Sequence, residues 1–164
     1  MSPRTSSRPP AKPVPSLSYV VGRLDKALAS AMGERVAKYG VTLPQYTALS
    51  VLEIQSGLSN AQLARRAFVR PQSMMQVVSE LERKGLIERT LEPDNGRILR
   101  TKVTKAGHRL LEECNRDVAE LEKEMLTDVA PADRDIVLEA LISCVRRLGG
   151  GLALTASQAE EVSA

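Results

Sequence analysis

Apolar residues recur along the chain with two different periods, and the residues between them mark where elements begin and end. Leu17, Val20, Val21, Leu24, Leu28, Met32 and Val36 fall at three- and four-residue steps. That is one face of a long helix, predicted over 17–38, with Ser16 as its N-cap and Gly40 as its stop. Thr42-Leu43-Pro44-Gln45 and Ser59-Asn60-Ala61-Gln62 both have the spacing of a capping box, and Val41/Tyr46 and Leu58/Leu63 are placed as hydrophobic staples. They predict one helix reaching about residue 54 and a short one ending near Arg66 or Ala67. Pro71 suits the first position of a further helix, which carries Met74, Val77, Val78 and Leu81 as a buried stripe and stops at Gly85. Extended runs follow at 86–91 and 98–103, and Asn95-Gly96 between them has the chemistry of a hairpin turn. Thr104 then caps a helix to about Val129 with Leu110, Cys114, Val118, Leu121 and Met125 in i, i+4 order. Pro131 opens the last helix, striped by Val137, Leu141, Cys144, Val145 and Leu148, with Ala130 as a weak cap.

Composition narrows the class. A chain of 164 residues, 43% of them hydrophobic, fits one globular domain with its own core. Residues 1–16 are rich in Pro, Ser and Arg and read as a flexible basic arm, and residues 149–164, opening Gly-Gly-Gly, read as a flexible tail. No apolar run reaches membrane-spanning length and no signal-peptide pattern is present, which points to a cytoplasmic protein with no membrane contact. Cys114 and Cys144 are too few for a disulfide scaffold, and both lie on apolar stripes, where core packing is expected. A single histidine, His108, gives neither a metal cluster nor a nucleophile–base pair, so no enzyme, no metal and no cofactor are expected.

Charge is distributed unevenly. Residues 60–105 carry ten basic and five acidic groups, whereas residues 106–164 carry six basic and twelve acidic groups. A basic middle of this kind suits a polyanion. Its element order, a short helix, a tight turn, a second amphipathic helix and then a hairpin, is the layout of a winged helix-turn-helix, and the fold class is mainly α (α+β). The major groove of duplex DNA admits one helix held on a rigid support. On the second helix Gln72, Ser73, Met75, Gln76, Ser79 and Glu80 face outward, and the first four offer hydrogen-bonding and methyl-contacting chemistry suited to base edges. Arg70 and Pro71 stand at its start and Arg65 at the end of the helix before it. Arg89, Asn95, Arg97 and Arg100 lie on the hairpin, where arginines can meet phosphates or a narrow minor groove. Aromatic residues are 2% of the chain, too few for the stacking platforms of single-strand or RNA binders. A winged-helix module for protein–protein assembly, without DNA, stays open as the alternative.

The flanking helices, 17–38 and 104–148, are too long and too apolar to serve the reading head at 42–103 alone. They are expected to interlock with a second copy, placing two recognition helices about 34 Å apart on the duplex. Tyr19, Tyr39, Tyr46 and His108 could line a crevice between dimer helices and reading head, or could simply pack.

Leu58-Ser59-Asn60-Ala61-Gln62-Leu63-Ala64, Pro71-Gln72-Ser73-Met74, Leu81 to Arg89, Arg97, and Val103-Thr104-Lys105-Ala106-Gly107 together resemble the MarR family of winged-helix transcription regulators, over roughly residues 17–148. The resemblance implies a homodimer that represses genes from a pseudo-palindromic double-stranded DNA operator and is released by a small phenolic or lipophilic effector. It also implies base reading by Gln72, Ser73 and Gln76 and a minor-groove contact by Arg97. Two positions depart from the family pattern. Asn95 stands where an acid usually precedes the wing arginine, with Asp94 one step earlier. Arg70 stands where a Ser or Thr cap is usual.

Overall fold

In the computed structural model, residues 14–92 and 95–150 are described, with backbone alone for the described part of 92–98. The elements are α1 (Leu17–Ala37), α2 (Leu43–Ile54), α3 (Asn60–Arg66), α4 (Pro71–Arg83), β1 (Ile87–Glu92), β2 (Asn95–Val103), α5 (Lys105–Met125) and α6 (Pro131–Arg147).

The starts follow the sequence signals closely. Thr42 accepts from the Gln45 amide while Gln45 Oε1 accepts from the Thr42 amide, and Ser59 and Gln62 do the same for α3. Each box satisfies two amides that would otherwise be orphaned at a helix start. Both staple pairs are buried. Ser16 and Thr104 cap α1 and α5, whereas Arg70 and Ala130 contribute no side-chain cap. At the end of α4, the Leu86 amide donates to the Leu81 carbonyl at 3.0 Å and the Gly85 amide to the Glu82 carbonyl at 2.9 Å, with Gly85 at φ +70°. That is a Schellman stop, and its left-handed residue is the reason a glycine is needed there.

The core forms where α2, α3, α4, the base of the hairpin and the first half of α5 meet. Leu49, Leu52, Leu63, Met74, Val78, Leu81, Ile87, Leu111 and Cys114 are all buried there. Leu111, outside the predicted stripe of α5, is one of its buried residues, while Met125 at the far end is exposed. α5 packs against α1, α2 and the hairpin base, and the residues it buries all lie in its N-terminal half.

The hairpin is antiparallel, and its pairing runs closer to the tip than expected. Asn95-Gly96 belongs to β2 rather than to the turn, because Glu92 pairs with Asn95 beyond an irregularity between Leu91 and Glu92. Further pairing gives ladder partners to backbone groups that a longer loop would leave to water. A two-stranded hairpin is marginal alone, and this one is anchored at its outer edge. The Gly57 amide donates to the Thr101 carbonyl at 2.9 Å and the Thr101 amide to the Leu58 carbonyl at 3.1 Å.

The two ends of the fold differ from this core. Val36 is the buried residue of α1, and α6 buries none. Leu17, Val20, Val21 and Leu24, then Ile136, Val137, Leu138 and Leu148, are exposed. Cys144, expected in the core, is exposed, because among the described residues no other element covers its stretch of α6. Arg134 joins α6 to the end of α5, donating to the Val129 and Leu126 carbonyls at 3.2 and 3.0 Å. Apart from positions 14–16 and 149–150, the expected arm and tail lie outside the described residues.

Candidate nucleic-acid interface

The turn between α3 and α4 is built on a strained residue. Phe68 sits at φ +53°, its amide donating to the Arg65 carbonyl at 3.4 Å, and the Val69 amide donates to the Ala64 carbonyl at 3.0 Å. This is a second Schellman stop, with phenylalanine where glycine is usual. Phe68 is 79% exposed, so little burial offsets the strain. The sequence predicts a tight turn here but not its left-handed residue, since no glycine signals one.

Beyond the turn, α4 buries Met74, Val78 and Leu81 against the core. The opposite face holds Pro71, Gln72, Ser73, Met75 and Gln76, all exposed, beside exposed Arg65 and Arg70. These seven predicted residues are thus all open to solvent around the turn and the first turns of α4. Asn95 and Arg97 belong to β2 by backbone, and their side chains lie outside the described residues, as does Asp94 altogether.

Arg89 and Arg100 occupy the base of the wing, and both are half-buried with partners in the fold. Arg89 donates through Nε to Glu82 Oε2 at 2.9 Å, with a second contact from its NH2 group to the same oxygen. That hydrogen bonding holds the Glu82 carboxyl below its ordinary range, against a smaller opposing effect of burial. Arg100 donates to the Gly57 carbonyl at 3.3 Å and to Gln62 Oε1 at 3.2 Å, joining the wing to the capping box of α3. Both arginines therefore have a structural use as well, since they tie the hairpin to the helices.

A polar chain that the sequence does not signal leads from buried Gln45 to the surface of α4, with Glu80 half-buried rather than facing outward. Gln45 is 1% exposed. Its Oε1 accepts from the Thr42 amide at 3.2 Å and from Lys84 Nζ at 2.9 Å, and its Nε2 donates to Glu80 Oε2 at 2.5 Å. Lys84 Nζ also donates to the Gly40 carbonyl at 2.7 Å. Glu80 Oε1 accepts from Gln76 Nε2 at 3.3 Å. Gln45 gave only a capping signal in sequence, because its partners lie 35 and 39 residues away.

Two hollows bear on function, and one of them adjoins this surface. One of about 370 Å³ lies between the start of α3, α4 and the wing, lined by Asn60, Met75, Ser79, Arg89 and Leu99 among others. The other, of about 330 Å³, runs between α2 and α5 past Tyr46, Ser50, Glu53, Asn115 and Val118. Tyr46 donates to Asn115 Oδ1 at 2.9 Å, and His108 Nδ1 lies 2.6 Å from Glu53 Oε2 at its edge. Of the four residues considered for a crevice, Tyr46 lines it and His108 borders it, Tyr39 is half-buried outside its lining, and Tyr19 is exposed on α1. Among the described residues no helix is long and apolar enough to cross a membrane, and no three His, Cys, Asp or Glu side chains are grouped to hold a metal.

A short helix, a tight turn, an exposed recognition helix and an anchored hairpin define a winged helix-turn-helix protein. Comparison with known proteins gives the family. Residues 39–98 match the sequence profile of the MarR family. The HTH-type transcriptional repressor Rv2887 of Mycobacterium tuberculosis (strain ATCC 25618 / H37Rv) is 32% identical over 120 residues, covering 73% of this chain and 86% of that protein. Among solved structures, the transcriptional regulator BldR from Sulfolobus solfataricus aligns with a TM-score of 0.71 at 26% identity, over 80% of this chain and 93% of that one. CouR from Rhodococcus jostii RHA1, bound to p-coumaroyl-CoA, aligns with a TM-score of 0.71 at 20% identity, over 84% and 94%. The chain belongs to the MarR family of transcriptional regulators.

Proposed function

We propose that the protein is a homodimeric repressor that binds a pseudo-palindromic operator in double-stranded DNA. The observation that carries this reading is the exposed start of α4, where Gln72, Ser73 and Gln76 are open to solvent and exposed Arg65 and Arg70 precede them in the chain. Gln72 and Gln76 offer paired donors and acceptors to base edges, Met75 a methyl contact, and the arginines meet phosphates. Pro71 starts the helix that enters the major groove, and Asn95 and Arg97 carry the wing to the minor groove.

The dimer is supported by the apolar faces of α1 and α6 that the chain leaves exposed. Helices at 17–38 and 104–148 form the dimerisation region and residues 42–103 the reading head. Two copies joined there present two recognition helices to successive turns of one face of the duplex. As a regulator of transcription, the protein works in the cytoplasm, where bacterial DNA is held. A small phenolic or lipophilic effector in the α2–α5 hollow releases DNA by favouring a different spacing of the two heads. CouR, a structural relative, is bound to a coumaroyl thioester. No catalytic role is assigned.

The test is binding to a duplex recovered by selection from random DNA, measured against salt. Arg97→Ala should reduce the slope of log affinity against log salt by about one. Binding that is indifferent to both sequence and salt would instead favour the protein-assembly module.

A further inference from the structure

We infer that Glu80 is a positioning residue that fixes the orientation of the Gln76 amide and thereby makes it read adenine. The inference rests on base reading by Gln76 and adds how that reading is aimed.

A glutamine side chain is ambiguous as a reader. Turned one way it shows an oxygen and one amide hydrogen; turned the other it shows hydrogens alone. Here the choice passes along a chain of bonds that begins in the core. Two donors, the Thr42 amide and Lys84 Nζ, both converge on Gln45 Oε1. The Gln45 NH2 is thereby turned to Glu80, and its Nε2 donates to Glu80 Oε2 at 2.5 Å. An ionised carboxylate only accepts, so its other oxygen, Oε1, draws the NH2 end of Gln76, at 3.3 Å one helical turn away. With one amide hydrogen taken by Glu80, the exposed Gln76 presents its oxygen and its remaining hydrogen. That pair is complementary to the adenine N6 donor and N7 acceptor in the major groove. Gln45 is buried while Gln76 is exposed, so the polarity of the interior is relayed to the reading surface.

The isosteric change Glu80→Gln reverses the relay. Gln45 still offers its NH2, so the new amide turns its oxygen inward and its own NH2 towards Gln76. Gln76 then turns its oxygen to that donor and shows its NH2 to the groove, where guanine N7 and O6 accept.

The experiment selects bound duplexes from a library of randomised double-stranded DNA, using the full chain as wild type, Gln76→Ala, Glu80→Gln and Glu80→Ala. In the wild type, the step that Gln76→Ala flattens is expected to be adenine. Glu80→Ala should lower the adenine preference at that one step by roughly five- to tenfold. Glu80→Gln should move it towards guanine, and the step read by Gln72 should be unchanged in both. An unaltered adenine preference in both Glu80 variants, with Gln76→Ala still flattening the step, overturns the inference while base reading by Gln76 stands. Loss of preference at every step together also overturns it, since Glu80 would then merely support the helix. If Gln76→Ala flattens no step, base reading by Gln76 fails and the inference falls with it.

Discussion

Arg89, at the base of the wing, is bound to Glu82, at the end of the recognition helix, by a two-pronged contact on a single carboxylate oxygen. The pair joins the two parts of the fold that are proposed to meet DNA. Glu82 has its carboxyl held below the ordinary range by this hydrogen bonding. A depressed carboxyl stabilises the folded state above the unfolded-state value of about 4.3 and stops doing so as pH falls through the folded value. Wild type should therefore be more stable than Glu82→Gln at neutral pH, and the gap should close in acid below pH 4. Urea midpoints measured across that range check it; a gap constant with pH would remove the ion pair as its cause. The pair is substantially solvent-exposed, so the difference should be small.

Cys114 is fully buried, and burial pushes its thiol up to about 11 from an ordinary 9.0, with Glu113 and Asp117 adding to the shift. Between those values the unfolded chain releases a proton that the folded chain keeps. Stability from this group thus falls as pH rises from about 9 to 11. In a Cys144→Ser variant, which leaves one thiol, labelling by a disulfide reagent at pH 8 should be negligible until the protein unfolds. Rapid labelling of the native variant would contradict the packing described for α5.

Phe68 in the left-handed region is a source of strain with little burial to offset it. Phe68→Gly should relieve that strain, although glycine has more entropy to lose on folding. The balance expected is a gain of about 0.5–1 kcal/mol, or roughly 1–4 °C in thermal midpoint. A lower midpoint would mean that the aromatic ring is held by contacts that outweigh its backbone strain.

Gly107 is a helical glycine that the packing requires. A Cβ there would overlap the Leu86 carbonyl oxygen and lie 2.6 Å from Val103 Cγ1. Glycine to alanine within a helix ordinarily gains about 0.5–1 kcal/mol. Here Gly107→Ala should instead lower stability by about 1–3 kcal/mol, because α5 must move off the hairpin base. Chemical denaturation gives the sign directly, and a stabilised variant would show that the close approach can relax freely.

Much of the architecture was legible because it is written in short-range chemistry. The capping boxes at Thr42 and Ser59 and the Gly85 stop involve residues within six positions of one another. Apolar stripes locate helices because one helical turn repeats over the same few residues. The outward face of α4, with Gln72, Ser73 and Gln76, could be assigned for the same reason. Phe68 was not readable, since its conformation is imposed by the chain around it and not favoured by its own side chain.

What the linear order alone determined is therefore the list of elements, their sequence and the polar side of the recognition helix, because local hydrogen bonding and helical period act between near neighbours. Which residues meet across the fold was decided by tertiary packing. Arg100 on Gln62, Gln45 on Glu80 and the open flank at Cys144 depend on segments tens of residues apart being brought together or left uncovered. Such contacts arise only once the core has set the helices against each other, and no periodicity along the chain encodes them.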